Sequence, residues 1–349
     1  MRILIAEDEE ALAKFVRQGL EGEHYAVEVF SDGEQARVAA AENDYDLVIL
    51  DLNLPKLDGV SVLRQVRLKK PSLPVLVLTQ RSRVEDRVQC LDLGADDYVP
   101  KQLSSTSLDI LHIQPDLIAK IRAAALSRHS HLGDVSHRKL ARSALSEGVS
   151  SSSISPAIVA LGTSTGGPRA LQEILPLLPR DLSVPILIVQ HMPPGFTAPF
   201  AQRLNSLCSV TVREAAHKDP ILPGVVYIAP AGMHLTIERP SESVSLICLD
   251  TQPESSLHMP SVDVMMKSVA KNFGNSAMGV IMTGMGSDGA QGMKAIYRAG
   301  GLTVGQDEAS CIVYGMPRAC AELGVLNRVV PLSAIPSQIL QATNYRKRA

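Results

Sequence analysis

One short stretch, Gly162-Thr163-Ser164-Thr165-Gly166-Gly167, constrains this chain more than any other. An apolar run at 157–161 leads into it, and a helix-like stretch at 168–178 follows. A buried strand that turns into a helix within a few residues needs backbone freedom, and three glycines supply it. The pattern predicts that Ser164 sits on a tight strand-to-helix turn with its hydroxyl exposed. The helix N-terminus behind it offers free N–H groups and a positive dipole end, which can hold an anion or a developing oxyanion. On its own the stretch admits three readings: a nucleophile, a phosphate-binding loop or a plain turn.

At 349 residues the chain is long for one domain, and two is the natural expectation. Hydrophobic residues make up 45% and charged residues 20%, a globular composition with ample core. Lys+Arg number 34 against Asp+Glu 36, a balance that gives no electrostatic footprint for nucleic acid or a membrane surface. Aromatic residues are 3% and Trp is absent, which argues against base-stacking platforms. The cysteines, Cys90, Cys208, Cys248, Cys311 and Cys320, are odd in number and scattered, as expected of reduced thiols in a cytosol. Acidic residues at Glu7 and Asp8 interrupt what would be the apolar core of a signal peptide, and no apolar run reaches membrane-spanning length. The expectation is a cytoplasmic protein without nucleic-acid binding or membrane insertion.

The chain divides into residues 1–128, a linker at 129–155 and residues 156–349. In the first part, β-type runs at 3–7, 25–30, 47–52, 75–79 and 97–101 alternate with helical patterns such as Leu12, Phe15, Val16 and Leu20. Five βα units predict an α/β domain with a doubly wound parallel sheet. In such sheets ligands sit at the carboxyl ends of strands. Those ends carry Glu7 and Asp8, Asp51, Thr79 and Lys101. Gathered carboxylates repel one another and call for a cation, and hard oxygen ligands suit Mg²⁺. One of them can accept a phosphoryl group as an aspartyl phosphate. Thr79 and Lys101 can hold the phosphoryl oxygens. Any single acid here reads as a solvated strand end; the whole set in this order does not.

The stretches Ile5-Ala6-Glu7-Asp8-Glu9, Asp51-Leu52-Asn53-Leu54-Pro55-Lys56-Leu57-Asp58-Gly59 and Leu91-Asp92-Leu93-Gly94-Ala95-Asp96-Asp97-Tyr98 resemble the flavodoxin-like (βα)5 receiver domain of two-component response regulators. The resemblance implies that Asp51 is the phosphoacceptor and a histidine kinase the phosphodonor. It implies Mg²⁺ held by Glu7, Asp8, Asp51 and the Asn53 carbonyl, with Thr79 and Tyr98 as a switch pair. Two features depart from the family: Lys101 is followed by Gln102 where Lys-Pro is usual, and 103–113 reads as an irregular insertion before a last helix at 115–126. The receiver also looks more like that of winged-helix DNA-binding regulators, yet no helix-turn-helix pattern follows residue 128. The linker is rich in Ser, His and Arg without apolar period, as expected of a solvated tether.

In the second part, strand-like runs at 158–161, 185–190, 210–213, 278–282 and 302–304 alternate with helical patterns. Runs at 225–229, 234–238 and 244–249 read as an antiparallel excursion. The fold expected is a mostly parallel α/β sheet carrying that excursion. The first run ends at Ser164, the second at His191, and the fourth opens into a loop carrying Asp288. A serine hydroxyl needs a base, and a histidine base needs a carboxylate to fix its tautomer. His234 and His258 compete with His191, and Asp307 competes with Asp288; spacing does not separate them.

Ala160-Leu161-Gly162-Thr163-Ser164-Thr165-Gly166-Gly167-Pro168, Val189-Gln190-His191-Met192-Pro193-Pro194-Gly195, Pro260-Ser261-Val262-Asp263-Val264 and Thr283-Gly284-Met285-Gly286-Ser287-Asp288-Gly289 resemble the catalytic domain of chemotaxis protein-glutamate methylesterases, the CheB family. The match runs over about 156–342. It implies Ser164 as nucleophile, His191 as general base, Asp288 as orienting acid and the N–H of Met285 as an oxyanion donor. The elbow geometry adds the N–H of Thr165. It further implies methylated chemoreceptor helices as substrate, glutamine deamidation by the same route, no cofactor in this domain, and control by the receiver. The expectation is that residues 164, 191 and 288 converge within hydrogen-bonding distance. A scaffold with a silent triad and an esterase for a non-receptor protein are the alternatives.

Overall fold

The structure, a computed structural model, describes residues 1–22, 24–71, 73–79, 90, 93–101, 155–241, 244–254 and 256–345. The expected insertion at 103–113, the helix at 115–126, Gln102 and nearly all of the linker lie outside the described residues.

The first sheet has five parallel strands: β1 (Arg2–Ala6), β2 (Ala26–Phe30), β3 (Leu47–Asp51), β4 (Val75–Thr79) and β5 (Asp97–Pro100), in the order β2-β1-β3-β4-β5. Helices α1 (Glu10–Gly22), α2 (Gly33–Glu42) and α3 (Gly59–Lys69) join them. Leu12, Val16 and Leu20, a helical stripe, are buried against the sheet. Asp58 caps α3 by accepting from Ser61 N–H at 3.0 Å.

The second sheet has seven strands, all parallel. They are β6 (Ile158–Thr163), β7 (Ile186–Gln190), β8 (Thr211–Glu214), β9 (Val225–Ile228), β12 (Ala277–Ile281), β13 (Leu302–Gln306) and β14 (Arg328–Val330). Their order is β14-β13-β12-β6-β7-β9-β8. The antiparallel excursion is a separate hairpin, β10 (His234–Ser241) with β11 (Val244–Asp250). The expected three-run excursion is therefore corrected: Val225–Ile228 lies between β7 and β8 and pairs in parallel with both. Its central residues are fully buried, so it behaves as an interior strand shielded on both faces.

Helices α4 (Gly167–Ile174), α5 (Thr197–Leu207), α6 (Val262–Phe273), α7 (Ala290–Arg298), α8 (Met316–Glu322) and α9 (Ile335–Ala342) flank this sheet. Strand β6 shows why two layers are needed. Ile158 and Ala160 pack with Met265, Met266 and Val269 of α6, whereas Val159 and Leu161 pack with Leu171 and Ile174 of α4. A strand apolar at every position buries both faces only between helices. The helix expected at 168–178 ends at Ile174 and continues as one 3-10 turn, because Pro176 has no N–H to donate to the preceding turn.

The chain order reverses at β6: β7 lies on one side of it and β12 on the other. Doubly wound sheets open a crevice at such a point, beyond the carboxyl ends of the strands. All five cysteines are free thiols. No helix of the described residues is long and apolar enough to cross a membrane.

Candidate active site and phosphoacceptor pocket

Ser164 follows β6, and His191 follows β7 on the neighbouring strand, where Thr163 pairs with Gln190. The ladder continues past the strands, with His191 N–H donating to Thr163 O at 3.2 Å. The main chain of Ser164 is clamped on three sides. Its N–H donates to Thr283 O at 3.0 Å, and its carbonyl accepts from Gly167 N–H at 2.8 Å and from Gln190 Nε2 at 3.0 Å. The glycines that follow are demanded by the turn. Gly166 holds φ at +79°, and a Cβ on Gly167 would fall 1.9 Å from Gln190 Oε1.

Asp288 comes from the loop after β12, and its carboxylate is surrounded by donors. His191 Nε2 lies 2.8 Å from Oδ2. Ser261 Oγ donates to Oδ1 at 2.8 Å, Val262 N–H to Oδ2 at 2.8 Å, and Asp263 N–H to Oδ1 at 3.0 Å. The last three belong to the N-terminus of α6, whose free N–H groups and dipole favour an anion. Burial pushes the Asp288 carboxyl up, but the hydrogen bonds from His191 and from the Asp263 and Val262 main chain, together with His191's charge, outweigh it. The net effect holds the group well below the usual carboxylate range.

The structure thus separates the sequence candidates. His191 meets Asp288. Asp307 instead caps a short turn, accepting from Ser310 N–H at 3.0 Å. His234 is fully buried and accepts from Ser261 N–H. His258 stacks on His191, with ring centroids 4.1 Å apart at 18°. The His191 imidazole is therefore held at its edge by Asp288 and on one face by His258.

One expectation is corrected. Ser164 Oγ makes no hydrogen bond to His191; with Nε2 turned to Asp288, Nδ1 of His191 is a buried nitrogen without a partner among the described residues. The three residues share a rim, but only two of them are in hydrogen-bonding contact. Among the described residues no acceptor takes the main-chain N–H of Thr165 or Met285. Ser261 and Gln190 were missed at the sequence level. A serine just before an apolar helical period is an N-cap signal that points to Ser261.

In the first domain Glu7, Asp8 and Asp51 offer carboxylate oxygens within 4.8 Å of one another. Glu7 and Asp51 are buried and Asp8 is exposed. Lys101 Nζ lies 2.8 Å from Glu7 Oε1 and 2.9 Å from Asp51 Oδ2. Burial raises the Glu7 carboxyl to about 7, with the neighbouring Asp51 charge adding to the rise and Lys101 opposing it. Asp51 Oδ1 also accepts from Leu52 N–H at 2.6 Å. Thr79 ends β4 and Tyr98 lies in β5, but their side chains lie outside what the structure describes. Crowded hard oxygens, with one acid open to solvent, fit a Mg²⁺ ion.

Comparison with known families covers both domains. Residues 159–339 match the CheB methylesterase family, and residues 3–111 match the response regulator receiver domain. The chain belongs to the CheB methylesterase family. A relative from Caldanaerobacter subterraneus, named protein-glutamate methylesterase/protein-glutamine glutaminase, is 38% identical over 99% of this chain and 97% of its own length. An Archaeoglobus fulgidus relative of the same name is 35% identical over 98% of this chain and 97% of its own. The crystal structure of the Thermotoga maritima CheB methylesterase catalytic domain superposes with a TM-score of 0.52 at 38% identity, covering 54% of this chain and 99% of that one. This chain is a carboxylic ester hydrolase joined to a response-regulator receiver domain.

Proposed function

We propose that this chain removes methyl groups from the γ-carboxyl esters of modified glutamates on the cytoplasmic helices of chemoreceptors, and deamidates glutamines there by the same route. Ser164 Oγ attacks the ester carbonyl while His191 Nδ1 takes the hydroxyl proton. Asp288 holds the opposite ring nitrogen and steadies the imidazolium that forms. The N–H groups of Thr165 and Met285 receive the oxyanion. His191 returns the proton to the departing methoxide, releasing methanol, or to the departing amine of a glutamine, releasing ammonia. Water then hydrolyses the acyl-Ser164 ester. With the Ser164 main chain clamped, rotation about χ1 is the motion left to bring Oγ to the base. The observation that carries this reading is the His191–Asp288 contact of 2.8 Å on the rim where Ser164 turns.

Asp51 is the phosphoacceptor in this reading, fed by a histidine kinase in the cytoplasm. Glu7, Asp8, Asp51 and the Asn53 carbonyl would hold Mg²⁺, which supplies positive charge against the phosphoryl oxygens. Lys101 supplies a second cation there, and Thr79 and Tyr98 read the modification. The receiver restrains the esterase by docking against its rim. Support comes from Arg169 of α4, just after the Ser164 turn, whose Nη1 lies 2.7 Å from Asp96 Oδ1 in the receiver. Thr165 and Ile312 also share a small gap with receiver residues Leu47, Pro74 and Leu76. Strand β5 joins the two events: Asp96 precedes it, and Lys101, bonded to Asp51, follows it. A change at Asp51 is thus about one short strand, five residues or roughly 16 Å from Asp96 to Lys101, from the docking contact.

Methanol release from methylated receptor, with and without a small-molecule phosphodonor, tests this. The phosphodonor is expected to raise the rate about 5–150-fold, the range of a coupling of about 1–3 kcal/mol, and Asp51→Asn is expected to abolish the increase. A rate that ignores the phosphodonor would remove the receiver from the account and leave the esterase standing.

A further inference from the structure

We propose that His234 is a positioning residue for this esterase: a buried hydrogen-bond acceptor that fixes Ser261 and, through it, Asp288. The proposal rests on the hydrolytic reading above. His234 opens β10 and is fully buried. Its Nδ1 accepts from Ser261 N–H at 3.1 Å. In a neutral imidazole an accepting Nδ1 places the single ring proton on Nε2. That Nε2 is buried without a partner among the described residues. An unpaired buried N–H is costly, and leucine would fill the space without it. What the imidazole supplies, and leucine cannot, is an acceptor for the Ser261 N–H.

That N–H begins the segment on which Asp288 depends. Ser261 Oγ, Val262 N–H and Asp263 N–H all donate to the Asp288 carboxylate, at 2.8, 2.8 and 3.0 Å. All three donors follow directly from the Ser261 main chain, so an acceptor that anchors its N–H sets where they point. Asp288 then holds His191 Nε2 at 2.8 Å. The path runs from His234 to Ser261, Asp288 and His191, across β10, the start of α6, the loop after β12 and the end of β7. His234 touches no reacting atom; its part is to keep the carboxylate in register with the imidazole.

Two variants of the full-length protein separate this role from packing. Asparagine places Oδ1 one bond beyond Cγ, as Nδ1 is, so His234→Asn keeps the acceptor. His234→Leu keeps bulk and removes the acceptor. Two readouts are needed: kcat and KM for methanol release from methylated receptor, and the far-downfield proton NMR signal of the His191 Nε2–H···Asp288 bond. His234→Leu is expected to lower kcat on the order of 10²-fold with KM unchanged, the scale of a misplaced catalytic group, and to shift or lose the downfield proton. His234→Asn is expected to keep that proton and most of kcat. The proposal is overturned if His234→Leu keeps both kcat and the proton, or if folded His234→Asn loses as much kcat as His234→Leu. If His234→Leu does not fold, His234→Asn decides alone: keeping the proton and most of kcat supports the proposal, and a loss of kcat on the order of 10²-fold overturns it. The proton signal needs no substrate. A wild type that releases no methanol, alongside a shifted proton in His234→Leu, would therefore sink the hydrolytic reading and still support the positioning.

Discussion

Replacing Ser164 with alanine is expected to lower methanol release from methylated receptor by at least about 10³-fold, with the fold intact. Ser164 is held through its main chain, by Thr283 O, Gly167 N–H and Gln190 Nε2, and none of these contacts uses the hydroxyl. Alanine keeps them all and removes only the nucleophile. Thermal unfolding should be nearly unchanged, and a serine-directed phosphonate probe should label wild type and leave Ser164→Ala unmodified. A variant that keeps wild-type turnover would mean that the acyl-serine step does not occur and that the rim serves a different chemistry.

Asp288→Asn is expected to lower kcat on the order of 10⁴-fold, the scale seen when an orienting aspartate is neutralised in other serine hydrolases. The carboxylate accepts from four groups at once, His191 Nε2, Ser261 Oγ, Val262 N–H and Asp263 N–H. An asparagine amide offers one oxygen, and its NH₂ meets donors where the second oxygen stood. At least one buried main-chain N–H is then unpaired, at a cost on the order of 1–3 kcal/mol. Asp288 is held below its ordinary range in the folded chain. Its contribution to stability is thus full above the unfolded value near pH 4 and fades as the pH falls through the lower folded value. The stability gap between wild type and Asp288→Asn should be widest at neutral pH and narrow only below about pH 4. Thermal denaturation at a series of pH values measures it. A gap that closes at neutral pH would contradict the depressed carboxyl.

Much of the site was legible because strands in a doubly wound sheet deliver their last residues to one edge. Ser164, His191, Asp51 and Lys101 each follow an apolar run and lie at that edge. Asp288 was harder, since it lies seven residues past β12, and only its cradle of donors separates it from Asp307. Val225–Ile228 was misread because an apolar four-residue run looks alike in a hairpin and in an interior parallel strand. Partner choice there is set by tertiary pairing, which periodicity does not carry. The open Ser164–His191 contact was equally invisible, because a side-chain rotamer leaves no trace in spacing. His234 looked like any lone histidine in a strand; its role lies in one hydrogen bond to a residue 27 positions away.

The central claim is that Ser164 and His191 act as one catalytic unit although their side chains are not bonded in this structure. Methanol release by Ser164→Ala, His191→Ala and the double variant tests it most directly. If the two act as a unit, the double variant loses no more than about the larger single loss, as in other serine hydrolases whose serine and histidine work together. Losses that multiply, so that the double variant falls by the product of the two, would show independent contributions and contradict the account.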